Sequence, residues 1–231
     1  MGNRVYVGQR VPWTPAEIST AAWYDASDFS TITLGTENSV RQWNDKSGND
    51  NHAIQEIGDY QPLTNNATIN GLNVITGNEN AGFAFMNVAN ADIVKSCFAV
   101  YDVSAQPGDA AKILLFGQVS DGGPELFVRY DDTQTSFDGS GTNTGKYSLN
   151  GGSDSSVARG HTDTAIRTGA NIIEMVSTNS FALNRIIGRV VTTTGPTEDY
   201  KLGELIWFDT ELSLDDKQKL EGYLAHKWGL A

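Results

Sequence analysis

The closing stretch of the chain, residues 203–231, restricts the possible fold more than any other part. Leu205 and Trp207 alternate there with Ile206 and Phe208, so an extended segment would be apolar on both faces and would need a covering layer on each. An inner strand of a packed sandwich has this pattern. Ser213 is a good helix N-cap, and Asp216 stands three residues on, where an acid favours the first-turn amides and the helix dipole. Leu220, Tyr223, Leu224 and Trp228 follow at i, i+3, i+4 and i+8, forming one apolar stripe that must face a body built by the rest of the chain. Gly229 ends the helix.

The 231 residues, 39% hydrophobic with 24 glycines and 19% charged, suit one large loop-rich β domain better than a helical one. A formal charge of −12 with no basic run argues against non-specific nucleic-acid binding and against attachment to an anionic membrane. Cys97 is the sole cysteine, so no intrachain disulfide exists, and its apolar neighbours predict a buried thiol in a core strand. Residues 1–10 lack the apolar core of a signal peptide, so export by the general secretion route is not expected.

Residues 1–20 read as an N-terminal arm, in which Tyr6 and Trp13, the latter beside Pro12 and Pro15, are the candidate docking side chains. Residues 21–231 read as one sandwich domain. Strands are expected near 21–25, 40–43, 73–76, 82–86, 96–103, 112–118, 125–130, 145–149, 171–177, 180–188 and 203–208. Between Asp131 and Thr168 the chain is polar and rich in Gly, Ser and Thr, a loop region suited to a variable binding surface.

Trp23-Tyr24-Asp25-Ala26-Ser27-Asp28, the run from Val40 to Ala53 containing Trp43-Asn44-Asp45-Lys46-Ser47-Gly48-Asn49, Gln61-Pro62 and Asn70–Ile75 resemble the start of laminin-G-like domains of the concanavalin A-like lectin and glucanase superfamily. The closing strand and Gly222-Tyr-Leu-Ala-His-Lys-Trp-Gly229 resemble the end of such domains, and Asn184–Arg189 a late strand. The resemblance implies an all-β fold: a jelly-roll sandwich of two antiparallel sheets, one concave, with one C-terminal α-helix near the sandwich's edge. It also brings in calcium, which laminin-G-like domains often hold in loops. Asp45, Ser47, Asn49 and Asp50 offer oxygens in one turn, although no bidentate glutamate follows at calcium-loop spacing; structural bracing is the default role of this turn. No other cofactor is expected.

Glycoside hydrolases of the superfamily carry Glu, Asp and Glu at alternating strand positions. Here Ile206 follows Glu204 where an acid should stand, so Glu204 is expected to bond backbone or an arginine, Arg185 or Arg189. His52, His161 and His226 lack zinc spacing. The Ser136–Thr142 turn is similar to a sialidase Asp-box, but its glycine is displaced and the tryptophan missing, and it is set aside. The chain is therefore read as not an enzyme, with no catalytic residues. Tyr60, Tyr130 and Tyr147, beside polar stretches, are the candidate sugar-stacking aromatics, with core or loop anchoring as the alternative role of each.

Chains of this kind resemble bacteriophage virion proteins. The expectation is a virion structural protein, a capsid decoration or fibre-type subunit, assembled in the host bacterial cytoplasm and displayed on the virion surface. Its partners would be other virion proteins and copies of itself, with a glycan- or host-surface-binding face. The alternative is a carbohydrate-binding lectin module of a bacterial surface protein; a glycoside hydrolase ranks below both.

Overall fold

A computed structural model describes residues 13–77, 84–102, 111–117, 125–130, 136–138, 145–157, 169–188 and 200–230. The strands are β1 (Ala22–Asp25), β2 (Ile32–Leu34), β3 (Val40–Trp43), β4 (Ala53–Ile54), β5 (Leu63–Ile69), β6 (Leu72–Thr76), β7 (Met86–Asp102), β8 (Ala111–Gly117), β9 (Glu125–Tyr130), β10 (Ser136–Asp138), β11 (Gly145–Leu149), β12 (Ser155–Val157), β13 (Ala170–Gly188) and β14 (Lys201–Phe208). Helix α1 (Leu214–Trp228) follows. Two antiparallel sheets face each other, as expected.

The sheets share their two longest strands. The first half of β13 pairs with β11 and with the second half of β7, whose other edge carries β14; β1 and β6 then pair with successive parts of β14. The second half of β13 pairs with β8, which leads to β9 and β10, while the start of β7 carries β4, then β3 and β2. Between these halves the β7–β13 register shifts, from Val176 to Phe181. The sequence reading divided each of these strands in two, because the polar residues near each crossing interrupt the apolar pattern that marks a strand.

The apolar pattern of the closing strand has the two coverings it requires. Leu205 and Trp207 join Tyr24, Trp43, Cys97, Tyr101 and Leu183 in the core between the sheets. Ile206 and Phe208 join Trp23, Phe98, Val100, Leu220, Leu224 and Trp228 in a second core under α1. The helix thus lies across the outer face of a sheet, not at the sandwich's edge. Its stripe is wide enough to cover the apolar residues that β1, β7 and β14 turn outward. The Ser213 hydroxyl accepts from the Asp216 amide at 3.2 Å, and Gly229 closes the helix at φ 63°.

Candidate functional site

The densest group of ionisable side chains among those described lies where β1, β14 and α1 meet. Gly203 makes it possible: a β-carbon there would stand 2.7 Å from the Trp228 ring, so glycine lets the indole lie against the strand. The next residue, Glu204, is fully buried. Its Oε1 accepts from Trp23 Nε1 at 2.7 Å and Tyr223 Oη at 3.1 Å; its Oε2 accepts from Trp228 Nε1 and Lys227 Nζ, each at 2.7 Å. Lys227 also reaches Asp25 at 2.7 Å, and Lys46 bridges Asp25 at 2.9 Å and Asp28 at 2.8 Å.

Burial and the neighbouring Asp25 push the Glu204 carboxyl above its ordinary range, with Lys227 and Trp228 opposing. Burial also pushes Asp25 up, but Lys227, Ser27 and Lys46 outweigh it and hold that carboxyl below its ordinary value. Four donors occupy the two oxygens of Glu204, so this group ties two strands to the helix. The lysine and indole partners correct the expectation that Arg185 or Arg189 would bond Glu204. Lys227 follows Tyr223 by one helical turn and precedes Trp228, and this spacing was the overlooked signal.

Asp45, Ser47 and Asn49 come together, as donors and acceptors to one another and to the start of β1. Asp45 Oδ1 accepts from the amides of Trp23 and Ser47, each at 2.8 Å, and Oδ2 from the Ser47 hydroxyl at 2.7 Å and the Asn51 amide at 3.1 Å. Asn49 Nδ2 donates to the carbonyls of Thr20 and Ala21 at 2.9 and 3.0 Å. Asp50 is exposed, its side chain 91% accessible. A cation bound at this turn would have to displace the donors on Asp45. Among the described residues, no three His, Cys, Asp or Glu side chains are grouped to hold a metal.

The three candidate tyrosines have different placements. Tyr147 is 4% exposed within the inter-sheet core, so it has no open face for a sugar; the alternation of β11 turns it inward. Tyr130 ends β9 opposite Ala111, and its side chain lies outside the described residues. Tyr60 is half-buried and stacks on Phe85, ring centres 5.7 Å apart and planes at 25°. The Arg185 guanidinium lies 3.9 Å from the Phe85 ring centre, and Ile57, on the same short turn as Tyr60, is 55% exposed. Phe85 was not singled out from the sequence, because it sits in an apolar run that reads as core.

Of the arm candidates, Tyr6 lies outside the described residues. Trp13 and Ile18 pack against the core under α1, with the Trp13 ring edge-on to Tyr223 at 6.1 Å.

No family model matches the chain, and no curated protein matches it. Among solved structures it is similar to Trypanosoma rangeli sialidase in complex with 2,3-difluoro-KDN, at 10% identity and a TM-score of 0.46 over 90% of this chain and 33% of that one. It is also similar to the same sialidase in complex with 2,3-difluorosialic acid, the covalent intermediate, at 10% identity, a TM-score of 0.41 and the same coverage. The chain thus spans about a third of the sialidase's length. These structures overturn one expectation: they are structures of an enzyme, and the reading of this chain as not an enzyme is withdrawn. At such identity and coverage the likeness assigns no activity to this chain.

Proposed function

We propose that the chain is a lectin-like sandwich built into a bacteriophage virion, presenting a carbohydrate-binding rim at the virion surface. The observation that carries the carbohydrate reading is the rim at Ile57–Phe85. Tyr60 stacks on Phe85 beside an exposed isoleucine, and the exposed carboxylates Glu56 and Asp59 flank it. Aromatic and apolar faces next to hydrogen-bond acceptors suit the CH and OH groups of a sugar ring.

The virion reading is supported by a fold held without disulfides, Cys97 being buried and free. As a capsid decoration or fibre-type subunit the protein would assemble in the host cytoplasm, with other virion proteins and copies of itself as partners.

Two measurements test the reading. A glycan array should show a preference that Tyr60→Ala weakens; a blank array, or one indifferent to the substitution, removes the rim. Mass spectrometry of purified virions should find the chain at a fixed copy number, and its absence there removes the virion assignment.

A further inference from the structure

Helix α1 carries a glycine at position 222, well inside its span. Glycine is a poorer helix residue than alanine there, and it is kept in proteins where a backbone or ring approaches closely. No such approach occurs at Gly222: a β-carbon built there meets nothing within 4 Å. The space it leaves is part of a cavity of about 240 Å³ between α1 and the turn after β11. Ala225 supplies apolar surface with Ile172 buried behind it, Gln218 and Glu221 supply polar atoms, and the Asn150 amide is tied to Asn171 and the Ile172 amide.

Glu221 has a second peculiarity. Its Oε1 is buried, with no hydrogen-bond partner among the described residues. A buried carboxylate oxygen without a donor is costly, and it is expected to find one from outside. Lys217, one turn earlier, does not supply it: its ammonium is held by Asp154 at 3.2 Å and by Glu174. Lys146 adds a second cation, 3.9 Å from Asp154. Glu221, Glu174 and Asp154 thus face two ammonium groups, and one carboxylate is left in surplus.

We infer that this cavity is a subsite for an amino sugar, a single pyranose ring whose ammonium is taken by Glu221. The inference rests on the carbohydrate reading above and names a sugar class and a second place for it, on the opposite side of a sheet from the inter-sheet core. The volume falls below the roughly 300–1,000 Å³ of sites for drug-sized ligands, which suits one ring. Ala225 faces its CH groups and the Gln218 amide its hydroxyls, while the Asn150 amide, held by Asn171 and the Ile172 backbone, fixes the wall of the cavity. Glu221 selects the amine over a neutral hexose, because a charge-assisted bond to a buried oxygen is stronger than a neutral one.

The test is a titration of the full-length chain with glucosamine and with glucose, followed by NMR or calorimetry, alongside Gly222→Leu, Glu221→Gln and Tyr60→Ala. Glucosamine should bind saturably and about tenfold or more tighter than glucose. Gly222→Leu should abolish binding by filling the cavity while the melting temperature holds, Glu221→Gln should erase the preference for the amine, and Tyr60→Ala should leave both intact. If Gly222→Leu does not fold, the loss of preference in Glu221→Gln decides. Absence of saturable glucosamine binding, or binding indifferent to both cavity variants, overturns the subsite. Binding lost in Tyr60→Ala and retained in the cavity variants also overturns it, while leaving the rim proposal standing. A blank glycan array with cavity-dependent glucosamine binding would remove the rim and keep the subsite.

Discussion

Glu204 shows how one side chain can be decisive for a fold and still be poorly legible in sequence. An acid next to Ile206 in an apolar strand looks misplaced until the indoles of Trp23 and Trp228 and the Lys227 ammonium are brought to it from three elements. Removing it leaves those donors buried without an acceptor, so Glu204→Ala should cost about 3–5 kcal/mol in urea unfolding. The pH dependence has two opposing parts. Asp25 is held below its ordinary 3.8, so the native state binds fewer protons than the unfolded one; its stabilisation is complete above 3.8 and is lost as the pH falls through the folded value. Glu204 lies above its ordinary 4.5, so its sign is reversed, and stability falls as the pH rises from 4.5 through its folded value. Unfolding midpoints measured across the acid range should therefore drop steeply below 3.8, and Asp25→Asn should flatten that drop. Glu204→Gln should flatten the opposite trend above 4.5.

The closing strand and helix form the element pair most completely readable from residue order. Periodicity identified both faces of β14, and local chemistry identified both ends of α1. Each end has a measurable cost. Ser213→Ala removes the acceptor of the Asp216 amide and should cost about 1 kcal/mol. Gly229→Ala places a β-carbon at φ 63°, 2.9 Å from Asn70 Nδ2, and should cost about 1–2 kcal/mol in thermal or urea melts. Strand β5 was missed for the opposite reason. Leu63-Thr-Asn-Asn-Ala-Thr-Ile69 is polar because it lies at the end of its strand order, and its pairing with β6 is irregular between Thr64 and Thr68, where Asn65 takes φ 61°. Neither the apolar alternation nor the β-branched enrichment of an inner strand is needed there.

Across the molecule, two cores share one sheet: from Leu205 to Phe208 the side chains of β14 alternate between them, while Leu202, on the far side of the register shift before Glu204, joins the inter-sheet core. Trp13 and Ile18, which the sequence placed in an arm, extend the outer core. Trp13→Ala should accordingly lower the melting temperature, an effect that a purely docking residue would not produce. Melting with and without a chelator tests the Asp45 turn: its donors already occupy the carboxylate, so calcium removal should leave the transition in place, and a downward shift would show a cation holding the turn. Periodicity and capping residues were enough to mark a loop-rich β chain with an inner strand covered on both faces and one closing helix, because burial on two faces leaves a local pattern in the order of residues; the arrangement of two sheets came with the family resemblance. The partners of Glu204, the inward turn of Tyr147, the Tyr60–Phe85 stack and the space beside Gly222 depended on the packing. Each joins residues distant in the chain, and distance in sequence carries no sign of which side chains will share a face.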